Sequence, residues 1–419
     1  MEIMEDVVIV GAGIAGLATA VALKRVGVRS LVLERSERLR TTGAALTLLP
    51  NAWLALDALG VSHKLTSIYN PTFRVVLTDV ATGAVQDTLF PENGAKGHGP
   101  RSVHRTALLE ALAEELPADS IRFSSKFTAI EEQKQEGAPV VVLHLEDGTT
   151  IKSKVLIGCD GVHSGVAKWL GLSAPIHSGR AAVRGVAVYR EGHGFKQEVS
   201  QFIDVGKRAG FVPLNDKQLY WFLTCAEGEN MARDPEEIQK EIMNKYAKDF
   251  PSTYLDVVRH ADLSNLSWAP LTLRKPWDVL FGKLSKGNVT VAGDAMHPMT
   301  PDLAQGGCAA LEDAVVLGRL IGNSFIKNNG RLVSNDMAGV LNEYIRERKW
   351  RVATLITGSY LSGWVQQSGS QGWRKFLRDV IFYGLLFPIV FKAVRSYDCG
   401  TLPSVSASDH LQSSSSKTD

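Results

Sequence analysis

The chain alternates between short β-branched blocks that run into glycine and longer stretches whose apolar positions recur every three or four residues. The first block, Val7-Val8-Ile9-Val10, breaks at Gly11 and leads into helical periodicity over 17–24, predicting strand, tight turn and helix. A second apolar block over 30–33 predicts a strand ending at Glu34. Helical periodicity returns over 52–59, stopped by Gly60 as a C-cap, and over 106–116, stopped by Pro117. Residues 72–90 alternate around the turn signal Thr82-Gly83, and strands are expected over 121–127 and 140–145. The last of these closes through Asp147-Gly148 into 151–157, a hairpin signature.

From 180 to 223 the pattern is again alternating, most clearly over 183–189, 198–203 and 219–223. An amphipathic helix follows over 235–249. A buried strand over 289–292 then leads to a helix over 308–321. Residues 380–391 are nearly all apolar, but Pro388 interrupts them and they are too short to span a bilayer. A buried or dimer-forming helix is the favoured reading there, with peripheral membrane contact as the alternative. The serine-rich end, 404–419, lacks the apolar content to fold.

Composition narrows the class. The chain has 419 residues, 45% of them hydrophobic, enough for a large core and more than one domain. With 46 basic against 44 acidic residues and no polybasic run, nucleic acid is not an expected partner. Cys159, Cys225, Cys308 and Cys399 are widely spaced, which fits free thiols in a reducing compartment and gives no metal-ligand spacing. The first strand begins too early to leave room for a leader, so a cytoplasmic location is expected, with a processed organellar form as the alternative.

Three stretches carry chemistry. Gly11, Gly13 and Gly16 form Gly-x-Gly-x-x-Gly between a strand and a helix. Gly11 permits the turn, Gly13 lets the backbone approach a pyrophosphate, and Gly16 lets helix and strand pack closely. The helix N-terminus directs free N–H groups at the phosphates. Glu34, 18 positions past Gly16, stands where a carboxylate holds ribose hydroxyls. The second stretch is Gly158-Cys159-Asp160-Gly161-Val162-His163-Ser164, where Asp160 either bonds hydroxyls or orders a turn. The third runs from Gly293-Asp294 through Pro301-Asp302-Leu303-Ala304 to Gln305-Gly306-Gly307-Cys308. Asp294 is suited to a polyol, and the amides at Gly306-Gly307 to an electron-rich ring. His297, beside Pro298, reads as a structural histidine.

In this order and spacing the three stretches resemble the class A FAD-dependent monooxygenases, the p-hydroxybenzoate hydroxylase-like flavoproteins, from about Val7 to Arg351. Residues 206–213, with Tyr220-Trp221-Phe222 and 301–308, are similar to the urate-hydroxylase type. The ending Tyr397-Asp398-Cys399-Gly400-Thr401-Leu402 resembles plant monooxygenases. The implied fold is α/β: a Rossmann-type FAD-binding domain (1–71, 101–179, 285–350) with an inserted mixed β-sheet substrate domain (72–100, 180–284). A C-terminal helical region (351–403) and a disordered tail follow.

The resemblance implies tightly bound FAD, with NADPH or NADH as transient reductant. Gly11, Gly13, Ala15 and Gly16 would cradle the pyrophosphate, with Glu34 on the adenosine ribose and Arg35 beside it. Thr47 would line the flavin, Arg105 would reach the phosphate and ribityl region, and Phe127 would offer a backbone contact to adenine. Asp160 belongs to the same cofactor region, Asp294 matches the ribityl ligand, and Gly306 and Gly307 the amides near the pyrimidine edge. Arg208, Tyr220, Phe222 and Pro301 are the substrate-pocket candidates. The implied reaction uses O₂ through a flavin C4a-hydroperoxide to hydroxylate a small aromatic or heteroaromatic substrate. A flavin epoxidase or oxidase of a plant-type metabolite is the alternative, and a non-catalytic escort-type nucleotide-binding protein a lesser one. Two positions depart from the family pattern: Ala167 where arginine is common, and Ala304 where glycine is usual. If position 304 requires φ > 0, alanine there costs about 1 kcal/mol.

Overall fold

The computed structural model describes residues 2–39, 44–89, 98–228, 234–367 and 397–404. The strand Glu2–Val10 lies at the centre of the larger sheet because Val7, Val8 and Ile9 have no exposed surface. Burial on both faces is what an unbroken β-branched run in a parallel sheet requires. It pairs in parallel with Ser30–Leu33 on one side and Thr150–Gly158 on the other. Ile121–Arg122 and Val289–Val291 extend the parallel core outward. The hairpin expected at Asp147-Gly148 is present, joining Ala138–Leu145 to Thr150–Gly158.

Two helices pack on one another here, the first of them lying against this sheet. Ile14–Arg25 is buried from Ile14 through Leu23, and the long helix Gly306–Lys327 lies along it. Small residues set their separation: a Cβ on Gly322 would sit 2.8 Å from the Val26 Cβ. Close packing of this kind leaves no room for one added methyl.

The second sheet has seven strands, in the order Ser267–Leu273, Ile176–Val188, Gln218–Ala226, Lys207–Asn215, Val199–Asp204, Arg74–Asp79 and Val85–Leu89. It is mixed, since Arg74–Asp79 runs parallel to Val199–Asp204 and the other pairs are antiparallel. One face is closed by the helices Pro235–Glu241 and Ser252–Arg259 over Phe202, Phe211 and Trp221, with Tyr254 of the second helix packed among them. The opposite face is directed at the first layer, where Val186 and Tyr220 pack on Ala44 and Ala45.

Several elements differ from the sequence expectation. The strand Ile176–Val188 crosses the expected boundary at 179, and the helix Ser334–Gln367 crosses the one at 350. The strand expected over 121–127 is confined to Ile121–Arg122, and a separate strand, Phe127–Gln135, begins where it was to end. That second strand carries no apolar alternation in its sequence, since eight of its nine residues are not buried. The helix expected over 235–249 turns into a wider π-type turn over Ile242–Tyr246 and stops there. Residues 380–391 and 405–419 lie outside the described residues. Among the described residues no helix is long and apolar enough to cross a membrane.

Candidate cofactor and substrate site

Strand register brings the three sequence stretches together. Val10 is opposite Gly158, and Gly158 is opposite Val291, so the turns that follow all open at the same sheet edge. Backbone bonds lock them: Gly11 N donates to the Leu33 carbonyl at 2.7 Å, Cys159 N to Val10 at 2.8 Å, and Ala292 N to Gly158 at 2.9 Å. The carboxyl edge of a parallel sheet, at the N-terminus of its first helix, is where an α/β fold binds a dinucleotide.

The glycines there separate by cause. Gly11 has φ +103°, and a Cβ would lie 2.5 Å from the Cys159 carbonyl. A Cβ on Gly16 would overlap the Gly11 carbonyl. Both are demanded by the protein itself. Gly13 is different: it has φ −82°, and among the described residues a Cβ on it meets nothing within 4 Å. Its small size serves no packing partner, which fits close approach of a ligand at that point.

Glu34 is 3% exposed, and its two carboxylate oxygens accept from Ala12 N and Ser36 N, each at 2.9 Å. It thereby ties the end of the second strand to the glycine turn. Arg35 beside it is exposed. Asp160 orders its own turn, one of the two roles its sequence allowed. It accepts from Ser164 Oγ at 2.5 Å, Gly165 N at 2.7 Å and Val166 N at 3.3 Å, and so supports the start of the helix Gly165–Trp169, whose N-cap Ser164 accepts from Ala167 N at 2.8 Å. Burial nevertheless raises its pKa against the pull of these bonds. Phe127 packs its ring on Gly165, where a Cβ would sit 2.6 Å away.

The third stretch is pinned to the first. Gly293 has φ +59°, and a Cβ would lie 2.7 Å from the Ala15 Cβ. Asp294 follows it, exposed at the sheet edge, and makes no hydrogen bond among the described residues. His297 is fully buried, with Nε2 2.6 Å from Asp313 Oδ2, and the same oxygen accepts from Gly293 N at 2.9 Å. Ala304 has φ +53° and ψ +32°, so the strained conformation that glycine would relieve is present. The loop then enters the helix at Gly306 and Gly307, where a Cβ on Gly307 would meet Leu46 at 2.7 Å. Thr47, next along, shares a 2.8 Å hydroxyl contact with Ser102, and Arg105 opens the helix Arg105–Ala113.

Behind the loop lies a buried charge network without a local sequence signature. Arg348 contacts Glu312 Oε2 and Asp313 Oδ1, both at 2.7 Å, and none of the three is exposed. Arg351 and Asn51 each reach Glu312 Oε1 at 2.6 Å. Burial would raise both acids, but the adjacent guanidiniums outweigh it for Glu312. The His297 ring and Arg348 hold Asp313 down to about 2.

On the inward face of the seven-stranded sheet, Arg208 lies over the Phe222 ring at 5.7 Å, and Tyr220 and Phe222 have ring centroids 6.2 Å apart. Trp221 points to the other face and is fully buried. Arg208 is not a solvated surface residue, its side chain being 13% exposed. Arg184, opposite Phe222 in register, joins this face. Burial raises the Tyr220 pKa, and the Arg184 charge opposes the rise. Asp302, adjacent to Pro301, is gripped by Arg180 through bonds of 3.0 and 2.7 Å. Arg180, Arg184 and Asp302 were not among the sequence candidates. The Arg180–Asp302 pair spans 122 positions and could not be read locally.

A glycine turn open at the sheet edge, a buried carboxylate that ties the second strand to it, an exposed Asp294 at the same edge and a glycine-led helix are the parts of a flavin-dinucleotide enzyme. The chain belongs to the FAD binding domain family, whose model matches residues 4–356. It is an FAD-dependent monooxygenase, an oxidoreductase. It is 43% identical over 406 residues to Monooxygenase 2 of Arabidopsis thaliana, covering 95% of this chain and 98% of that one. It is also 29% identical to an FAD-dependent urate hydroxylase of Klebsiella pneumoniae, over 83% of this chain and 87% of the other. A variant of Klebsiella pneumoniae HpxO solved in complex with FAD superposes with a TM-score of 0.78 at 25% identity, covering 92% and 99% of the two chains.

Proposed function

We propose that this monooxygenase uses NAD(P)H and O₂ to hydroxylate a small aromatic or heteroaromatic ring held between the seven-stranded sheet and the loop 301–307. The observation that carries the reading is the group Arg208, Tyr220 and Phe222 on the inward sheet face, tied to that loop through Asp302. When bound, FAD supplies the redox chemistry and activates oxygen, so the protein's task is positioning and electrostatics.

The first turn, with Gly11, Gly13, Ala15 and Gly16, takes the pyrophosphate. Glu34 takes the adenosine ribose with Arg35 outside it, and Phe127 offers its backbone to adenine. Arg105 and Asp294 serve the ribityl chain, while Thr47, Gly306 and Gly307 line the ring. The positive end of the 22-residue helix Gly306–Lys327 stabilises negative charge that develops beside it. Tyr220 and Phe222 wall the substrate, Pro301 bounds it, and Arg208 holds an oxyanion or carbonyl in plane. A urate-type ring, as in the name of the Klebsiella relative, fits this donor set.

The test is a panel of aromatic compounds screened for accelerated NADPH or NADH oxidation by the yellow protein, with product mass read by spectrometry. Gain of one oxygen atom on a ring supports hydroxylation. A dehydrogenated product, or an oxygen added across an alkene, replaces it with the oxidase or epoxidase. With a substrate in hand, Arg208→Lys should raise KM and peroxide release while FAD stays bound. Loss of a charge-assisted contact costs about 1.5–3 kcal/mol, or roughly 10- to 150-fold.

A further inference from the structure

Arg208 is already partly engaged by the protein. Its Nη1 lies 3.4 Å from the Asp302 carbonyl and 3.8 Å from Asp302 Oδ1, and Nη2 donates to Gln201 Oε1 at 3.1 Å. Its Nε is buried without an acceptor among the described residues. Asp302 is meanwhile held by Arg180 in a paired, two-bond contact, with side-chain exposures of 1% and 10%. Two guanidiniums thus draw on one carboxylate, leaving the trio with one net positive charge. Asp302 also stands two residues before Ala304, the strained entry to Gly306 and Gly307. The same side chain therefore touches both the substrate face and the flavin-side loop.

We propose that Asp302 is a positioning residue that competes with an anionic ring for Arg208, so that filling the pocket releases part of the loop's grip on the seven-stranded sheet. The inference rests on the pocket reading given above. An arriving anion offers Arg208 shorter and better aligned acceptors than Asp302 does at 3.8 Å. Asp302 keeps its stronger partner, Arg180, and is never left as an unpaired buried charge, so the exchange avoids the penalty that makes buried pairs hard to break.

The two arginines pull on Asp302 in opposite senses, and this gives the test a sign. FAD-loaded protein is titrated with salicylate, a monoanionic aromatic probe, and with neutral salicylamide, following flavin absorbance. Asp302→Asn should bind salicylate about tenfold more tightly, because Arg208 loses its internal competitor. Arg180→Gln should bind it about tenfold more weakly, because Asp302 then turns wholly to Arg208. Salicylamide should change less than about twofold in either. Should Asp302→Asn lose FAD, Arg180→Lys, which keeps charge without the paired geometry, should still weaken salicylate selectively.

A purely structural role for Asp302 moves both variants the same way and shifts the neutral probe equally; either result overturns the proposal. So does failure of salicylate to perturb the flavin in all FAD-bound forms, wild type included. Failure of the underlying reading shows separately, as protein that holds no FAD or oxidises no NAD(P)H with any aromatic compound.

Discussion

Replacing Gly13 by alanine should separate the cofactor's demand on the first turn from the protein's own. The residue is in extended backbone, φ −82° and ψ −174°, which alanine adopts without strain, and its Cβ would meet no atom of the described residues within 4 Å. Reduced freedom of the unfolded chain would stabilise by about 0.4–1 kcal/mol. Loss of a glycine N-cap costs about the same. The apoprotein should therefore melt as the wild type does. Bound FAD would meet the new methyl at the pyrophosphate, and overpacking of that kind costs about 1–3 kcal/mol. At a free FAD concentration of about 100 times the wild-type Kd, ligand stabilises the fold by about 2.7 kcal/mol. A Kd weakened about tenfold leaves about 1.4 kcal/mol, and one weakened about a hundredfold leaves about 0.4 kcal/mol. Melting with and without FAD reads the difference directly. An alanine variant that gains as much from FAD as the wild type would show that no phosphate approaches Gly13. Gly16→Ala is the control, since its Cβ would overlap the Gly11 carbonyl and should damage the fold with or without FAD.

Three further outcomes follow. Asp294→Ala should lose flavin absorbance while its apoprotein melts near the wild-type temperature, because the exposed carboxylate supports no described internal bond; equal FAD retention would move the ribityl contact elsewhere. Ala304→Gly should relieve about 1 kcal/mol of left-handed strain and leave flavin content intact. If the loop's shape governs coupling, the ratio of product to peroxide changes, and an unchanged ratio shows alanine is tolerated there. Asp313 has a folded pKa of about 2, below its ordinary 3.8. Its stabilisation is therefore complete above about pH 4 and is lost as pH falls through about 2. Acid melting of Asp313→Asn should be flatter across that window, and an unaltered profile would place the acid sensitivity on other groups.

The fold class and the first turn were legible because strand, glycines, helix and terminal acid are contiguous and each has a local physical reason. The third stretch was legible for the same reason, down to the φ > 0 suspected at Ala304 and found there. What escaped was set by long-range pairing. The strand Phe127–Gln135 shows little buried surface, so it has no alternation to find. The start of the helix Ser334–Gln367 is hidden because its core-facing row, Met337, Leu341, Tyr344, Val352 and Ile356, is interrupted by the buried Arg348. A charge on an apolar stripe reads as solvent until Glu312 and Asp313 are seen opposite it. Asp302 was in plain sight in the flavin-side motif, but its meaning depends on Arg180 and Arg208, and only the sheet brings those together.

Gly363 carries a consequence beyond its own helix. A side chain there would collide with the Arg180 guanidinium, so the notch it leaves is the seat of the arginine that holds Asp302. Glycine in the interior of Ser334–Gln367 weakens the helix by roughly 1 kcal/mol relative to alanine, and what that loss allows is the neighbouring Arg180–Asp302 pair. Positions 180, 302 and 363 should therefore change together in evolution: a relative that loses the arginine or the aspartate is free to fill the notch, and one that fills it first must abandon the pair. A chain shortened before 363 would open the same arginine to water. The trio offers a three-position fingerprint for sorting relatives that share this pocket chemistry from those that share only the flavin fold.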